Sequence, residues 1–274
     1  MATAHGTIFI SPDYRLLNPS TGFDQIDDVK ALFYFLSNNV NTHLPKGITL
    51  DTSRIAVAGV SAGGYLVRLC ALYAEPRPRA ALSLYGMGGD WLSDHLVAVK
   101  TTPMPHFGYM VSQEVGMRLT KFNPVAEVPV MFDAATGKFT DKAGRADLTL
   151  WWWQNGEIID HLTGEVGLSE RLRALPAVDR EAAIPAHLAG VFPQLHIDSS
   201  FPPTMFIHGK EDTVVPVAES QYTHEQLEKA GVHSELCITV GAEHGLAIPS
   251  KGKPAPQAES LFKKGFEFLV KEMA

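Results

Sequence analysis

Ile55-Ala56-Val57-Ala58-Gly59-Val60-Ser61-Ala62-Gly63-Gly64-Tyr65-Leu66 joins an apolar run to a stretch of helical character through small residues. Arg54 to Ala58 reads as a buried strand. Ala62 to Ala74 reads as a helix that stops at Glu75-Pro76, because the residue before a proline is pushed out of helical backbone. A serine at such a junction sits on a tight, strained turn that pushes its hydroxyl outward. Gly59 and Gly63 are expected to be obligatory, since bulkier residues would strike the neighbouring strand and helix. The Ala62 N–H, at the positive end of the helix, is the group expected to meet a substrate oxygen as it gains negative charge. The pentapeptide Gly59–Gly63 recurs by chance in proteins, and the strand-turn-helix context is what gives it meaning.

The same alternation continues outward. Thr7 to Ile10 reads as a short strand closed by Ser11-Pro12-Asp13. From Asp24 to about Asn39, apolar Ile26, Val29, Leu32, Phe33, Leu36 and Val40 recur at helical spacing, with acidic residues in the first turn. Further strands are expected at Ala80–Tyr85, Thr204–His208 and Ser234–Val240, and helices at Ala218–Ala230 and Ala258–Met273. This order implies an α/β fold with a mostly parallel sheet and helices on both faces, whose reactive groups gather at the carboxyl ends of the strands. From Met87 to Ser200 the alternation lapses into proline, aromatic residues and turn signals such as Asn123-Pro124 and Thr136-Gly137. Helical spacing is left only at Leu168–Leu175 and Glu181–Leu188. The expected organisation is a core of residues 1–86 and 201–274 with an inserted cap at 87–200.

Composition narrows the function. The 274 residues are 45% hydrophobic and 19% charged, ample for a packed core, and 23 basic against 30 acidic side chains leave a formal charge of −7. That charge repels phosphate backbones and anionic lipid, so neither nucleic acid nor a membrane surface is an expected partner. There is no apolar run long enough for a membrane span and no basic-then-apolar start, so a cytoplasmic protein is expected. Cys70 and Cys237 lie far apart in apolar runs and read as free buried thiols. Without clustered Cys and His ligands, neither a metal nor a cofactor is expected.

Serine is a poor nucleophile at neutral pH and needs a base held by a carboxylate. His244, in Gly241-Ala242-Glu243-His244-Gly245, follows the strand that ends near Val240. Asp212, in His208-Gly209-Lys210-Glu211-Asp212, follows the strand that ends at His208. The chain order Ser61, Asp212, His244 suits three groups carried on strand ends of one parallel sheet. Asp212 could instead cap the helix beginning at Ala218, and His244 could be a surface histidine. Glu211 and Glu243 are rival carboxylates, less well placed because one points away from Asp212 and the other adjoins the base. His208, ending a buried strand, reads as a hydrogen-bonded structural residue. His5, His95, His106, His161 and His196 have no evident partner in the sequence.

Ser11-Pro12-Asp13-Tyr14-Arg15-Leu16, Gly59–Leu66, His208–Pro216 and Gly241–Gly245 together resemble the hormone-sensitive-lipase-like carboxylesterase branch of the α/β-hydrolase superfamily. The resemblance covers the flanking thirds of the chain. It implies an α/β-hydrolase fold with Ser61 as nucleophile, His244 as general base and then acid, and Asp212 as the group fixing the imidazole tautomer. It further implies a lipase-like serine hydrolase cleaving a small carboxylic ester, apolar or aromatic if the aromatic-rich middle segment lines the cleft. An amide or peptide hydrolase of the same fold is the nearest alternative, and a weakly active or non-catalytic binder of small ligands is the next.

The chain departs from that branch in one respect. The branch carries a His-Gly-Gly-Gly loop that completes the oxyanion hole, and this sequence has none. His5-Gly6 is followed at once by the Thr7 strand, so the first strands of the fold are expected to be absent. Loss of one oxyanion donor costs about a hundredfold to a thousandfold in turnover, so the expectation is either that a non-standard donor replaces the loop or that the protein is feeble or inactive. In the middle segment, Trp151-Trp152-Trp153, Phe107, Tyr109, Met110, Phe122 and Phe132 could form either a subdomain core or a wall for an acyl chain. Asp133–Asp147 reads as a solvated loop.

Overall fold

A computed structural model describes residues 5–118, 126, 130–133, 138–141, 144–248 and 253–274. Along the chain come α1 (Gly22–Asn38), β1 (Ala56–Val60), α2 (Gly63–Tyr73), β2 (Ala80–Leu84), α3 (Asp94–Val97) and α4 (Gln113–Arg118). These are followed by β3 (Val130–Asp133), β4 (Lys138–Asp141), α5 (Arg145–Asn155), α6 (Ile158–Thr163) and α7 (Leu168–Arg173). Last are β5 (Thr204–Gly209), α8 (Ala218–Lys229), β6 (Ser234–Thr239) and α9 (Ala258–Met273).

Four strands form one sheet in the order β1-β2-β5-β6, and each neighbouring pair is parallel, with Ala56 opposite Ala80, Ala81 opposite Thr204 and Thr204 opposite Ser234. β5 is buried along its whole length, which is why it reads as a continuous apolar run rather than an alternating one. Successive side chains still go to opposite faces. Met205 and Ile207 join Leu82 and the α9 residues Phe268 and Leu269 in one cluster, while Phe206 joins Ala71 of α2 and Leu227 of α8 in another. Helices therefore cover both faces, and the strand ends stay free to carry loops.

Two compact units divide the chain. One comprises Met1–Pro12, Ile26–Asp90 and Phe192–Ala274 and contains the four-stranded sheet. The other comprises Asp13–Gln25 and Trp91–Val191. In the second unit Arg145 donates to the Leu17 carbonyl at 2.8 Å. Arg15 grips both the side chain and the carbonyl of Asp24 at 2.6 Å. Asp24 in turn accepts the Thr21 N–H at 2.7 Å, so the Asp-Tyr-Arg-Leu segment anchors the first turn of α1 by satisfying an otherwise orphaned donor.

Three sequence-based expectations fail here. Thr7–Ile10 forms no strand, and Phe9 is 80% exposed. A strand exists only through a ladder with a neighbour, and none of the described strands pairs with this segment. Nor is Asp133–Asp147 simply a solvated loop, because β3 and β4 pair antiparallel, Val130 opposite Asp141, and α5 begins at Arg145. The glycines at both ends of α5 delimit it, Gly156 taking the left-handed conformation (φ 64°) and donating to the last carbonyls. Third, Cys70 is buried as expected but Cys237 is only partly so, 3.3 Å from the Lys264 ammonium.

The aromatic cluster is largely core to the second unit. Trp152 and Trp153 are buried, Trp152 stacks on His161 at 3.9 Å, and Trp153 meets His95 and Phe107 edge-on. Tyr109 is exposed and bonds Asp147 at 2.6 Å. Phe122, Asn123-Pro124 and Thr136-Gly137 lie outside the described residues, as does the side chain of Phe132. Among the described residues, no helix is long and apolar enough to cross a membrane.

Candidate active site

β1 runs to Val60, because Gly59 and Val60 still pair with Ser83 and Leu84. The turn falls on Ser61, whose φ of 52° is a left-handed conformation that is costly for any residue with a Cβ. Three backbone bonds hold it there: Ser61 N–H to the Leu84 carbonyl at 3.1 Å, and the Ser61 carbonyl accepting from Gly64 and Met87 at 2.9 Å each. Ala62 forms the N-cap of α2, where its N–H lies outside the helical ladder. That N–H and the helix terminus behind it are suited to negative charge.

Packing explains the glycines, with one correction. A Cβ on Gly59 would lie 2.2 Å from the Gly63 carbonyl oxygen, whereas a Cβ on Gly63 meets nothing within 4 Å. The crowded helix position is Gly64, where a Cβ would lie 2.4 Å from the Gly86 Cα. The close approach needed for the turn is between α2 and the loop after β2, and residue 64 is the one on that side of the helix.

Asp212 and His244 arrive on the loops after β5 and β6. These loops are laced together: Lys210 N–H bonds the Thr239 carbonyl at 2.9 Å, and Glu211 N–H bonds the Ala242 carbonyl at 3.0 Å. The Glu211 carboxylate accepts the Gly241 N–H at 2.8 Å, so this rival to Asp212 serves the loop backbone. The other rival, Glu243, accepts from Thr213 at 3.4 Å.

His244 Nε2 stands 2.8 Å from Ser61 Oγ, and His244 Nδ1 stands 2.8 Å from Asp212 Oδ2. Asp212 Oδ1 accepts the N–H groups of Val214 and Val215, each at 2.9 Å. His208 is fully buried, 3.4 Å from Asp212 Oδ2 through Nε2, with that same nitrogen 2.8 Å from the Val215 carbonyl and Nδ1 2.8 Å from Ser220 Oγ. It is a bonded structural histidine that also borders the carboxylate. Because a carbonyl can only accept, Nε2 carries a proton.

Burial pushes the Asp212 carboxyl up, but the hydrogen bonds from His208 and His244, the charge of His244 and the Val215 N–H outweigh it and hold the group at about 2. This depression stabilises the folded chain above the unfolded value of 3.8, and the benefit disappears as pH falls through about 2. The difference corresponds to about 2 kcal/mol. Acid titration of the unfolding free energy should show that loss between about pH 5 and pH 2, and Asp212→Asn should flatten the slope there by the same amount; an unchanged slope in the variant would contradict the assignment.

One residue at the site escaped sequence reasoning. Tyr85 directly follows β2 with φ 41° and lays its ring edge-on to His244, centroids 5.1 Å apart. Its position at the carboxyl end of a central strand was the available signal. His5 lies edge-on to Phe266 of α9 at 5.3 Å, so the His5-Gly6 pair is engaged there. The arrangement has what proton transfer from a hydroxyl requires: a bonded base, a buried carboxylate fixing its far nitrogen, and a helix terminus behind the hydroxyl.

Comparison with known proteins agrees with the motif resemblance at the level of the superfamily. The prolyl oligopeptidase family model matches residues 108–273, more than half of the chain. The chain belongs to the prolyl oligopeptidase family. A second family model, BD-FAE, matches residues 1–83 and so includes Asp13–Leu16 and Gly59–Leu66. Among curated proteins, the non-reducing polyketide synthase ausA of Aspergillus calidoustus is 25% identical over 98% of this chain, and pkbA of Emericella nidulans is 28% identical over 99%. The chain spans only 12% of the length of each.

Of solved structures, a protein of unknown function from Staphylococcus aureus superposes with TM-score 0.54 at 17% identity, covering 96% of this chain and 77% of that one. An acetyl ester-xyloside bifunctional hydrolase from Caldicellulosiruptor lactoaceticus gives 0.48 at 18% identity, covering 92% and 68%. The fold is that of the α/β-hydrolases.

Proposed function

We propose that this protein cleaves carboxylic esters through an acyl-serine intermediate. Ser61 Oγ attacks the ester carbonyl while His244 Nε2 takes its proton, and Asp212 holds the imidazolium that results. The Ala62 N–H receives the oxyanion. Collapse of the tetrahedral intermediate breaks the C–O bond, and His244 returns the proton to the departing alcohol. Water deprotonated by His244 then attacks the acyl carbonyl and frees Ser61 and the acid. The observation that carries this reading is the hydrogen-bonded chain Ser61 Oγ, His244, Asp212 Oδ2, with both links at 2.8 Å.

The substrate in this reading is a small ester with an apolar or aromatic group, met in the cytoplasm. Neither nucleic acid nor a membrane takes part, and no metal or cofactor is called for. Among the described residues no cluster of His, Cys, Asp or Glu is placed to hold a metal ion. Membership of the prolyl oligopeptidase family supports a second reading, hydrolysis of an amide or peptide by the same groups. Hydrolysis of p-nitrophenyl acetate and butyrate against the matched anilides separates the two. Ester turnover at least tenfold faster is expected, and cleavage of the anilides alone overturns the esterase reading. A fluorophosphonate probe is expected to label Ser61, and a folded protein left unlabelled would instead be a non-catalytic binder.

A further inference from the structure

Two ionisable side chains buried behind the turn take no part in the chemistry above. Arg68 of α2 is 2% exposed and Glu219 of α8 is 3% exposed. Removing charges from water is expensive, and such pairs are often replaceable by apolar residues without loss of stability. What these two groups hold is therefore informative.

Glu219 Oε2 accepts three successive backbone N–H groups, from Gly88 at 3.0 Å, Gly89 at 2.5 Å and Asp90 at 3.0 Å. Their convergence on one oxygen shapes the loop after β2 into an anion nest. Gly88, with φ 98°, provides the curvature, and Gly89 lies so close to α8 that a Cβ would fall 1.9 Å from the Glu219 carbonyl oxygen. The residue before this nest is Met87, whose N–H is bonded to the Ser61 carbonyl at 2.9 Å.

Arg68 braces the same junction from the other side. Its Nη1 donates to the Gly64 and Met87 carbonyls, each at 3.0 Å, bridging α2 and the loop. Its Nε and Nη2 donate to Thr223 Oγ1 at 3.3 and 3.1 Å, and Thr223 Oγ1 bonds the Glu219 carbonyl at 3.2 Å. Burial pushes the Glu219 carboxyl up to about 7, against the three-donor nest and the Arg68 charge, with Asp90 adding to the rise. The groups thus meet at a real desolvation cost.

We propose that Glu219 and Arg68 are positioning residues for the nucleophile: they lock the Gly86–Asp90 loop so that Met87 keeps the Ser61 backbone in its left-handed conformation with Oγ toward His244. The inference rests on Ser61 being the nucleophile, and the path runs from Glu219 through the nest and Met87 to the Ser61 carbonyl. A displacement of about 1 Å at a reacting atom can cost on the order of a hundredfold in rate.

The test is the second-order rate of fluorophosphonate labelling, together with p-nitrophenyl acetate turnover per titrated active site. Wild type, Glu219→Ala, Glu219→Gln and Thr223→Val are compared, each verified as folded by near-ultraviolet circular dichroism. Glu219→Ala should lower the labelling rate per folded molecule by about 10- to 100-fold. Glu219→Gln, whose amide oxygen can still accept the three N–H groups, should recover to within about threefold of wild type.

A merely structural role would lower the melting temperature while leaving the rate per folded molecule unchanged, and that result overturns the proposal. Failure of Glu219→Gln to recover overturns it equally. If Glu219→Ala does not fold, the isosteric Thr223→Val decides: a rate about three- to tenfold lower is expected from loosening Arg68, and a wild-type rate overturns the proposal. An unreactive wild-type protein would instead refute Ser61 as nucleophile, a result distinguishable from all of these.

Discussion

Ser61→Ala is expected to lower kcat toward short p-nitrophenyl esters by about 10⁴- to 10⁶-fold while leaving the folded structure intact. The magnitude follows from nucleophilic catalysis, in which one missing group disables the whole relay and leaves only binding and oxyanion contacts to act. The fold should survive because the Ser61 backbone, not its hydroxyl, makes the bonds to Leu84, Gly64 and Met87, and alanine tolerates φ 52° no worse than serine does. Since the three groups act as a unit, Ser61→Ala combined with His244→Ala should be little worse than either change alone. Steady-state assays on both single variants and the double variant check this. Residual turnover within tenfold of wild type in Ser61→Ala would end the case for an acyl-serine intermediate.

The second large effect concerns stability. Gly59→Ala and Gly64→Ala should each destabilise the chain by about 3 kcal/mol or more, enough in a protein of ordinary stability to keep much of it from accumulating folded. In Gly59→Ala the new methyl would lie 2.2 Å from the Gly63 carbonyl oxygen and 2.8 Å from a Val67 methyl. In Gly64→Ala it would meet the backbone of Gly86 at 2.4 Å. Backbone cannot rotate aside as a side-chain tip can, so strand and helix must part. Gly63→Ala, in open space at the first position of α2, should instead be neutral or stabilising by up to about 1 kcal/mol, because alanine favours the helix. Urea unfolding of the three variants measures all of these effects. If Gly63→Ala proves as damaging as Gly59→Ala, the packing argument for the turn is wrong.

Much of the fold and the three site positions could be read from the residues themselves. Runs such as Thr204–His208 and Ser234–Val240 are strands because local apolar composition and the turn residues that bound them leave little else, and α9 begins and ends where its spacing says. Ser61, Asp212 and His244 were legible because a parallel sheet puts the ends of its strands on one rim. Thr7–Ile10 had the composition of a strand as well, but pairing is a property of two segments, and composition reports on one.

The contacts that settle choices among near neighbours were not legible in this way, although Asp212 could be ranked ahead of Glu211 and Glu243 by position. Glu211, Asp212 and Glu243 are similar carboxylates within reach of the same loops, and which of them faces the imidazole depends on the Gly241 N–H that holds the Glu211 carboxylate and the Val214 and Val215 N–H groups that hold one oxygen of Asp212 while the other meets His244. Gly63 and Gly64 are adjacent, and the one that must be glycine is the one that α2 turns toward Gly86. Nothing in the sequence sets Glu219 apart from other acidic residues in the first turn of a helix, because its partners are the N–H groups of the distant loop after β2. The order of strands and helices follows from periodicity, which is local and survives in a linear string. The identity of a hydrogen-bond partner does not, because it is set by distances of a few ångströms between residues as far apart in the chain as Ser61 and His244.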